Sequence, residues 1–306
     1  MLAADVTWVA LPDDRGRDPT PPRRASVLLL SPSATLLVLL AALLHAGWNL
    51  LAKRAREPFA FLWIAMALAL VWLGPLALWH QPESLRRAAL PVLVSGVVHG
   101  FYFATLGEAY REGELSTVYP IARGLGVGLA PLLAIVLAGE WPSTQAAIGI
   151  AVIVLAIASL ARAPGPQPSR RGFWLAVTTG PLIAIYSVVD HGGVAHADPI
   201  PYLAATNLGA LIVSAPLAWR RREALAGEWR TNRLSLAMAA TTSLTAYLLV
   251  LYAFRLAPTG YVVATRETSI VIATIFGRLW LGETITRARA LAAAAIVTGA
   301  AIIALS

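Results

Sequence analysis

Arg123 and Arg266 each stand about seven residues into an apolar run, and each is followed 17 positions later by a Gly-Glu pair, Gly139-Glu140 and Gly282-Glu283. A charge at the centre of a membrane helix costs about 2.5–3.5 kcal/mol on insertion scales, so such a residue marks a solute contact, a gate or a buried partner. Other ionisable or hydrogen-bonding residues also lie within apolar runs: His45, Asn49, His99, Glu108, Asp190, His191, Glu267 and Arg278. Trp48 and Asn49 follow His45 by three and four residues, Tyr102 follows His99 by three, Arg123 follows Tyr119 by four and Asp190 follows Tyr186 by four. On a helix each of these sets shares one face. Aromatic rings beside hydrogen-bonding groups suit an amphipathic solute with a flat or apolar part. Each residue taken singly has a plainer use. Trp48, like Trp63, Trp72 and Trp79, suits an interfacial belt, His99 a satisfied packing imidazole, and Asp190 a solvated helix end.

The elements that carry these residues are read from composition. Of 306 residues, 58% are hydrophobic and 13% charged, and the mean hydropathy is +0.69. These values describe a membrane protein. Apolar segments recur at 34–53, 59–79, 88–110, 116–138, 143–161, 172–191, 199–219, 234–255, 259–281 and 286–305. Each is long enough to cross hydrocarbon with its backbone bonds made internally, and none alternates as a barrel strand does. The fold class expected is therefore an all-α polytopic membrane protein of ten transmembrane helices, with short connections that make neighbours antiparallel. Residues 1–33 form a tail, and 1–26 have the charged, proline-rich composition of disorder. The tail does not read as a cleaved signal peptide, and an alternative start near Val27 fits the sequence as well.

The absence of cysteine excludes disulfides, a thiolate nucleophile and cysteine metal sites. The net charge of +8 belongs to connections rather than to a basic run interleaved with aromatics, so no nucleic acid is expected. There is no GxSxG elbow, HExxH pair or P-loop, and the spacing of His191, His196 and Asp198 matches no metal motif. Neither a cofactor nor a metal is expected; were such a protein to move a solute, energy would come from an ion gradient, with protons the natural coupling ion, or transport would be facilitative.

A shift of 143 residues lays Arg123 on Arg266, Gly139-Glu140 on Gly282-Glu283, and Ile153-Val154 on Ile296-Val297 without a gap. The chain is read as two five-helix units, 34–161 and 172–306, joined by a linker at 162–171. Because five is odd, the second unit inserts upside down, giving an inverted repeat with a pseudo-two-fold axis in the membrane plane.

The motifs His45-Ala46-Gly47-Trp48-Asn49 with Lys53, Tyr119-Pro120-Ile121-Ala122-Arg123-Gly124, Arg266-Glu267-Thr268-Ser269-Ile270 and Leu281-Gly282-Glu283 resemble EamA-type members of the drug/metabolite transporter superfamily. The resemblance covers nearly the whole chain outside the tail and departs slightly at Ala138-Gly139-Glu140. It implies ten helices in two five-helix repeats and transport of a small metabolite. It says almost nothing about the substrate.

Parity brings Trp48, Asn49, Glu108, Tyr119 and Arg123 toward one membrane face and Asp190, Arg255, Tyr261, Arg266 and Glu267 toward the other. Two such clusters suit alternating access, each closing one mouth. The pairings expected are Glu108 with Arg123, and Asp190 or Glu267 with Arg266; static staples are the alternative. Glu140 and Glu283 end their helices where a carboxylate opposes the helix dipole, so each needs a holder, either the N–H groups opening the next helix near 143 or 286 or a basic residue. The pairs Gly96/Gly100 and Gly124/Gly128 suit close helix packing.

Most Lys and Arg, from Lys53 and Arg54 to Arg287 and Arg289, follow odd-numbered segments. The positive-inside rule puts those connections in the cytoplasm and both termini outside. The family resemblance implies both termini inside, and both orientations stand. The expected protein is a multi-pass secondary transporter of the plasma (inner) membrane. Its partners are a small-molecule substrate and the lipid bilayer. The alternatives are an integral-membrane enzyme and a scaffold or sensor without a transport cycle.

Overall fold

The computed structural model describes residues 32–80, 82–138, 143–160, 162–256, 262 and 265–305. Eleven helices are described: α1 (Pro32–Arg54), α2 (Pro58–Trp79), α3 (Ala89–Glu112), α4 (Leu115–Ala138), α5 (Thr144–Leu160), α6 (Arg170–His196), α7 (Pro199–Arg220), α8 (Arg222–Thr231), α9 (Arg233–Leu256), α10 (Thr268–Leu281) and α11 (Arg287–Ala304), with a 3-10 turn at Pro82–Arg86 between α2 and α3. Among the described residues, six helices (α1, α2, α3, α6, α7 and α9) are long and apolar enough to cross a membrane, and α5 and α10 hold shorter apolar stretches.

The ends of these helices follow from their residues. Pro58 opens α2 and Pro199 opens α7, where a missing N–H costs nothing. Ser169 Oγ accepts from Gly172 N–H at 3.0 Å, Asp198 Oδ1 from Ile200 N–H at 2.9 Å, and Thr286 Oγ1 from Arg289 N–H at 3.3 Å, so side chains cap α6, α7 and α11. Gly282 ends α10 in the left-handed region, φ +68°, and Glu283 N–H reaches back to Gly277 O at 3.0 Å.

Packing is reciprocal between the two units. Helix α3 packs along α6 and α7, while its counterpart α9 packs along α1 and α2; α4 lies on α6 as α10 lies on α1. The pairs α2/α7, α4/α10 and α5/α11 each join a helix to its own counterpart. A Cβ on Gly149 would meet Ile303 and Gly299, and one on Gly299 would meet Gly149 and Ile153, so α5 and α11 cross antiparallel. A Cβ on Gly96 would lie 3.1 Å from Gly209 Cα, and one on Gly100 would meet Val213, so α3 runs parallel to α7. The opposite directions of the counterparts α5 and α11 are what an inverted duplication requires.

The helices differ from the sequence expectation in two places. The stretch between the seventh and eighth segments contains a further helix, α8, with Trp229 and Arg230 exposed and Glu228 buried. This short amphipathic element does not have the length of a span. The ninth segment was expected to be one helix from 259, whereas α10 starts at Thr268, after a turn at Glu267 where Thr268 Oγ1 donates to Thr265 O at 2.8 Å. Glu140, Tyr261 and the tail at 1–31 lie outside the described residues.

Candidate solute site

The first motif fastens α1 to α3. Asn49 Nδ2 donates to His45 O at 2.7 Å, and Asn49 Oδ1 accepts from the Tyr110 hydroxyl at 2.5 Å. Lys53 Nζ donates to the carbonyls of Tyr110 (2.5 Å) and Gly113 (2.7 Å), capping the end of α3 with its charge. Asn49 and Lys53 therefore hold helices, whereas His45 and Trp48 point into the centre. Trp48 is 3% exposed, and its indole N–H donates to His45 Nδ1 at 3.3 Å. The interfacial-belt reading of Trp48 is thus overturned: the residue sits near a span end in sequence but faces the partner unit. Trp72 and Trp79 are exposed, as belt or lipid-facing residues would be.

Around His45 and Trp48 the helices bring together rings from both units. His99 stacks on Tyr186 with centroids 4.2 Å apart and planes at 28°, and Tyr247 meets His99 edge-on at 5.5 Å. Tyr102 lies edge-on to both His99 and Tyr186. His99 Nδ1 stands 3.0 Å from both the hydroxyl and the carbonyl of Ser95, which orient the ring. These residues line a cavity of about 40 Å³ together with Met66, Phe103, Thr206, Asn207 and Ser243. That volume holds roughly three waters. Of the residues singled out in sequence, His45, Trp48, His99, Tyr102 and Tyr186 share this cavity, and Asn49, Glu108, Tyr119, Arg123, Asp190, Arg266 and Glu267 are not among its lining residues.

The expected pairing of Glu108 with Arg123 does not occur. Arg123, 2% exposed, donates through Nη2 to Glu267 Oε1 at 2.6 Å, and its guanidinium lies over the Tyr119 ring at 5.9 Å. Tyr119 in turn donates to Ser269 Oγ at 2.9 Å. The two clusters assigned to opposite faces thus meet, because α4 and α10 cross antiparallel and the turn at Glu267 carries its carboxylate to Arg123. Asp190 is not paired with Arg266 either: its oxygens accept from the hydroxyls of Tyr202, at 2.7 Å, and Tyr247. Arg266 is 0% exposed, and none of its three guanidinium nitrogens has a hydrogen-bond partner among the described residues.

Glu108 belongs to an ionic cluster at the other end of α3. Arg221 reaches Glu108 at 2.5 Å and Glu57 at 3.3 Å, and Arg171 reaches Glu108 at 3.1 Å and Glu112 at 3.4 Å. Arg221 comes from the second unit and Arg171 from the first turn of α6, at the end of the linker, while all three carboxylates come from the first unit. On the same face Glu228 of α8 accepts from Glu57 N–H at 2.8 Å. Arg289, fully buried, donates to Glu114, to Thr284 O at 3.2 Å and to Pro166 O. Among the described residues, Glu283 makes no ion pair with a basic residue and no hydrogen bond to the start of α11. Its carboxylate accepts from Leu115 N–H at 2.7 Å and Ser116 N–H at 2.9 Å, at the N-terminus of α4. The neighbour in sequence was a poor guide here because the Gly282 turn sends Glu283 back toward the other unit.

Sequence reasoning missed Ser243 and Tyr247, although they are i, i+4 and could have been found by the spacing that paired His45 with Asn49. Arg171 and Arg221 carried no such signal, since each stands beside other arginines in what reads as a solvated connection.

A duplicated bundle of apolar helices with an aromatic cavity between its halves is the architecture of a small-solute transporter. The chain belongs to the EamA-like transporter family, whose model matches it twice, over residues 32–162 and 170–305. It is an integral, multi-pass membrane protein of the drug/metabolite transporter superfamily. A solved chain described as "Crystal structure of protein" is similar in fold, with a TM-score of 0.62 at 22% identity, covering 88% of this chain and 96% of its own. No curated protein matches the chain.

Proposed function

We propose that the protein is a secondary transporter of the plasma (inner) membrane that moves a small amphipathic organic solute by alternating access. In this reading α1–α5 and α6, α7, α9, α10 and α11 are ten spans in two inverted units, 34–161 and 172–306, with α8 lying at the interface. The observation that carries it is the origin of the cavity wall. Its residues come from α1, α2 and α3 of one unit and from α6, α7 and α9 of the other, which are three pairs of counterparts. A site built this way lies on the axis relating the units, so rocking one unit against the other opens it to either side in turn.

The rings of Trp48, Tyr186 and Tyr247 stack on the apolar part of the solute, while Thr206, Asn207 and Ser243 supply hydrogen bonds. The cluster of Arg171 and Arg221 with Glu57, Glu108 and Glu112 is the closed gate. Among the described residues, every ion pair joining the units lies on that face except Arg123–Glu267. His45 and His99 are the candidate carriers of a coupling proton.

Counterflow of a panel of amphipathic solutes into proteoliposomes tests this reading. Wild type is expected to exchange at least one solute, Tyr186→Ala to weaken it, and Ser243→Trp, which fills the cavity, to abolish it in a protein that still folds. Undiminished exchange in Ser243→Trp would place the path elsewhere.

A further inference from the structure

A second cavity, polar and of about 250 Å³, opens at the foot of α1 and is lined by Leu51, Arg54, Ala55, Phe61, Asn232 and Ser235. Its wall comes from both units: the end of α1, the first turns of α2, the joint between α8 and α9, and the first turn of α9. Arg54 is exposed and Ser235 half-buried, and among the described residues neither side chain makes a hydrogen bond or an ion pair. Asn232 spends one amide N–H on Glu228 Oε2, at 2.6 Å, and has a second to give. The rim is cationic. Arg56 and Arg233, which adjoin the lining residues in sequence, are exposed as well, while the acids beside them are engaged. Glu228 is buried and also accepts from Glu57 N–H at 2.8 Å, and Glu57 pairs with Arg111 and Arg221.

Two observations set the depth of this crevice in the membrane. It lies where the apolar helices α1, α2 and α9 begin or end, which is where hydrocarbon gives way to headgroups. On α8 beside it Trp229 is 43% exposed with the Arg233 guanidinium over its ring at 5.7 Å, and tryptophan beside arginine is the pairing favoured at headgroup level. We propose that the crevice is a binding site for the headgroup of an anionic phospholipid. The Arg54 guanidinium pairs with two oxygens of the phosphodiester, the Ser235 hydroxyl and the second Asn232 N–H hydrogen-bond to the remaining polar atoms, and Leu51, Ala55 and Phe61 form the apolar side of the crevice toward the acyl chains. The bound headgroup bridges α1 of one unit to the α8–α9 joint of the other, so occupancy stabilises the whole fold. The cationic rim selects an anionic headgroup over a zwitterionic one.

Thermal unfolding of the full chain in an uncharged detergent, with phosphatidylglycerol, phosphatidylcholine or soluble glycerol 3-phosphate added, tests the proposal. Phosphatidylglycerol is expected to raise the wild-type unfolding temperature by about 2–4 °C more than phosphatidylcholine does. This difference should vanish in Arg54→Gln, which removes the cation, and independently in Ser235→Leu, which fills the crevice. Without lipid, Arg54→Gln should unfold at the wild-type temperature, since an exposed and unpaired side chain is changed. Arg162→Gln, exposed past the end of α5 and outside the crevice, should keep the full difference. Equal effects of the two lipids on wild type would overturn the proposal, and so would a difference that survives in Arg54→Gln. Loss of the difference in Arg162→Gln to the same extent would reduce it to diffuse attraction between basic residues and anionic lipid, overturning a defined site. Glycerol 3-phosphate acting as strongly as phosphatidylglycerol would make the crevice a site for a soluble anion and overturn the lipid assignment.

Discussion

Glu283 stands just past the end of α10 in the second unit, yet its Oε1 accepts the N–H of Leu115, the first residue of α4 in the first unit, at 2.7 Å. A carboxylate that opposes the dipole of its own helix thus satisfies the open amides of another, where negative charge is favoured. Gly277 makes room for it: a Cβ there would lie 2.5 Å from Glu283 Oε2. Glu283→Ala is expected to cost about 2–4 kcal/mol, because it leaves buried N–H groups of Leu115 and Ser116 unpaired. Gly277→Ala should lose a comparable amount by displacing the carboxylate. Chemical denaturation in detergent measures both, and a Gly277→Ala protein as stable as wild type would contradict the packing.

The pairing of Arg123 with Glu267 predicts where energetic coupling lies. A double-mutant cycle on stability with Arg123→Gln and Glu267→Gln should give a coupling of about 2–3 kcal/mol, as buried partners do. The same cycle for Arg123 and Glu108 should give less than about 0.5 kcal/mol, since Glu108 is held by Arg171 and Arg221 instead. Strong coupling of Arg123 to Glu108 would contradict the arrangement described.

Two glycines set the crossing of α5 and α11. A Cβ on Gly299 would lie 2.7 Å from Ile153 Cγ1 and 2.8 Å from Gly149 O, so Gly299→Ala should destabilise by about 1–3 kcal/mol. Gly227 in α8 meets nothing within 4 Å, and Gly227→Ala should instead stabilise by up to about 1 kcal/mol through helix propensity. Melting temperatures moving in the same direction for the two variants would contradict the contrast.

The ionic gate predicts a change in kinetics. Arg221→Gln removes the 2.5 Å contact to Glu108 and the 3.3 Å contact to Glu57, leaving Glu108 tied to α6 by Arg171 and Glu57 without that ion pair. Opening on the basic face should become easier, raising the exchange rate or the leak on that face by roughly threefold to tenfold, with little loss of stability because Arg221 is partly exposed and the buried Glu108 keeps its contact with Arg171. An unchanged rate at both low and high salt would make the cluster ornamental to transport.

How much of this was legible in the sequence depends on whether the signal was local. Helical spacing within one segment placed His45 with Trp48, His99 with Tyr102, and Tyr186 near its neighbours, because i, i+3 and i, i+4 relations survive folding. The 143-residue register gave the counterpart relations that the packing of α3 on α6 and α9 on α1 obeys. Partner choice across units was not legible. Glu267 reaches Arg123 because α10 begins at Thr268 after a turn, and Glu283 reaches Leu115 because Gly282 adopts a left-handed φ; neither follows from parity. The inward face of Trp48 likewise depends on which helix covers it.

Access to the central cavity from each side is the most direct test of alternating access. The chain has no cysteine, so Asn207→Cys, on the cavity wall, gives a single label in sealed proteoliposomes of known orientation. A membrane-impermeant maleimide is expected to reach it from the face opposite the Arg171–Arg221 cluster, and from the cluster's own face once Glu108→Gln and Arg221→Gln are added. Labelling from one face alone in both proteins, at equal rates, would contradict a cavity whose two mouths open in turn.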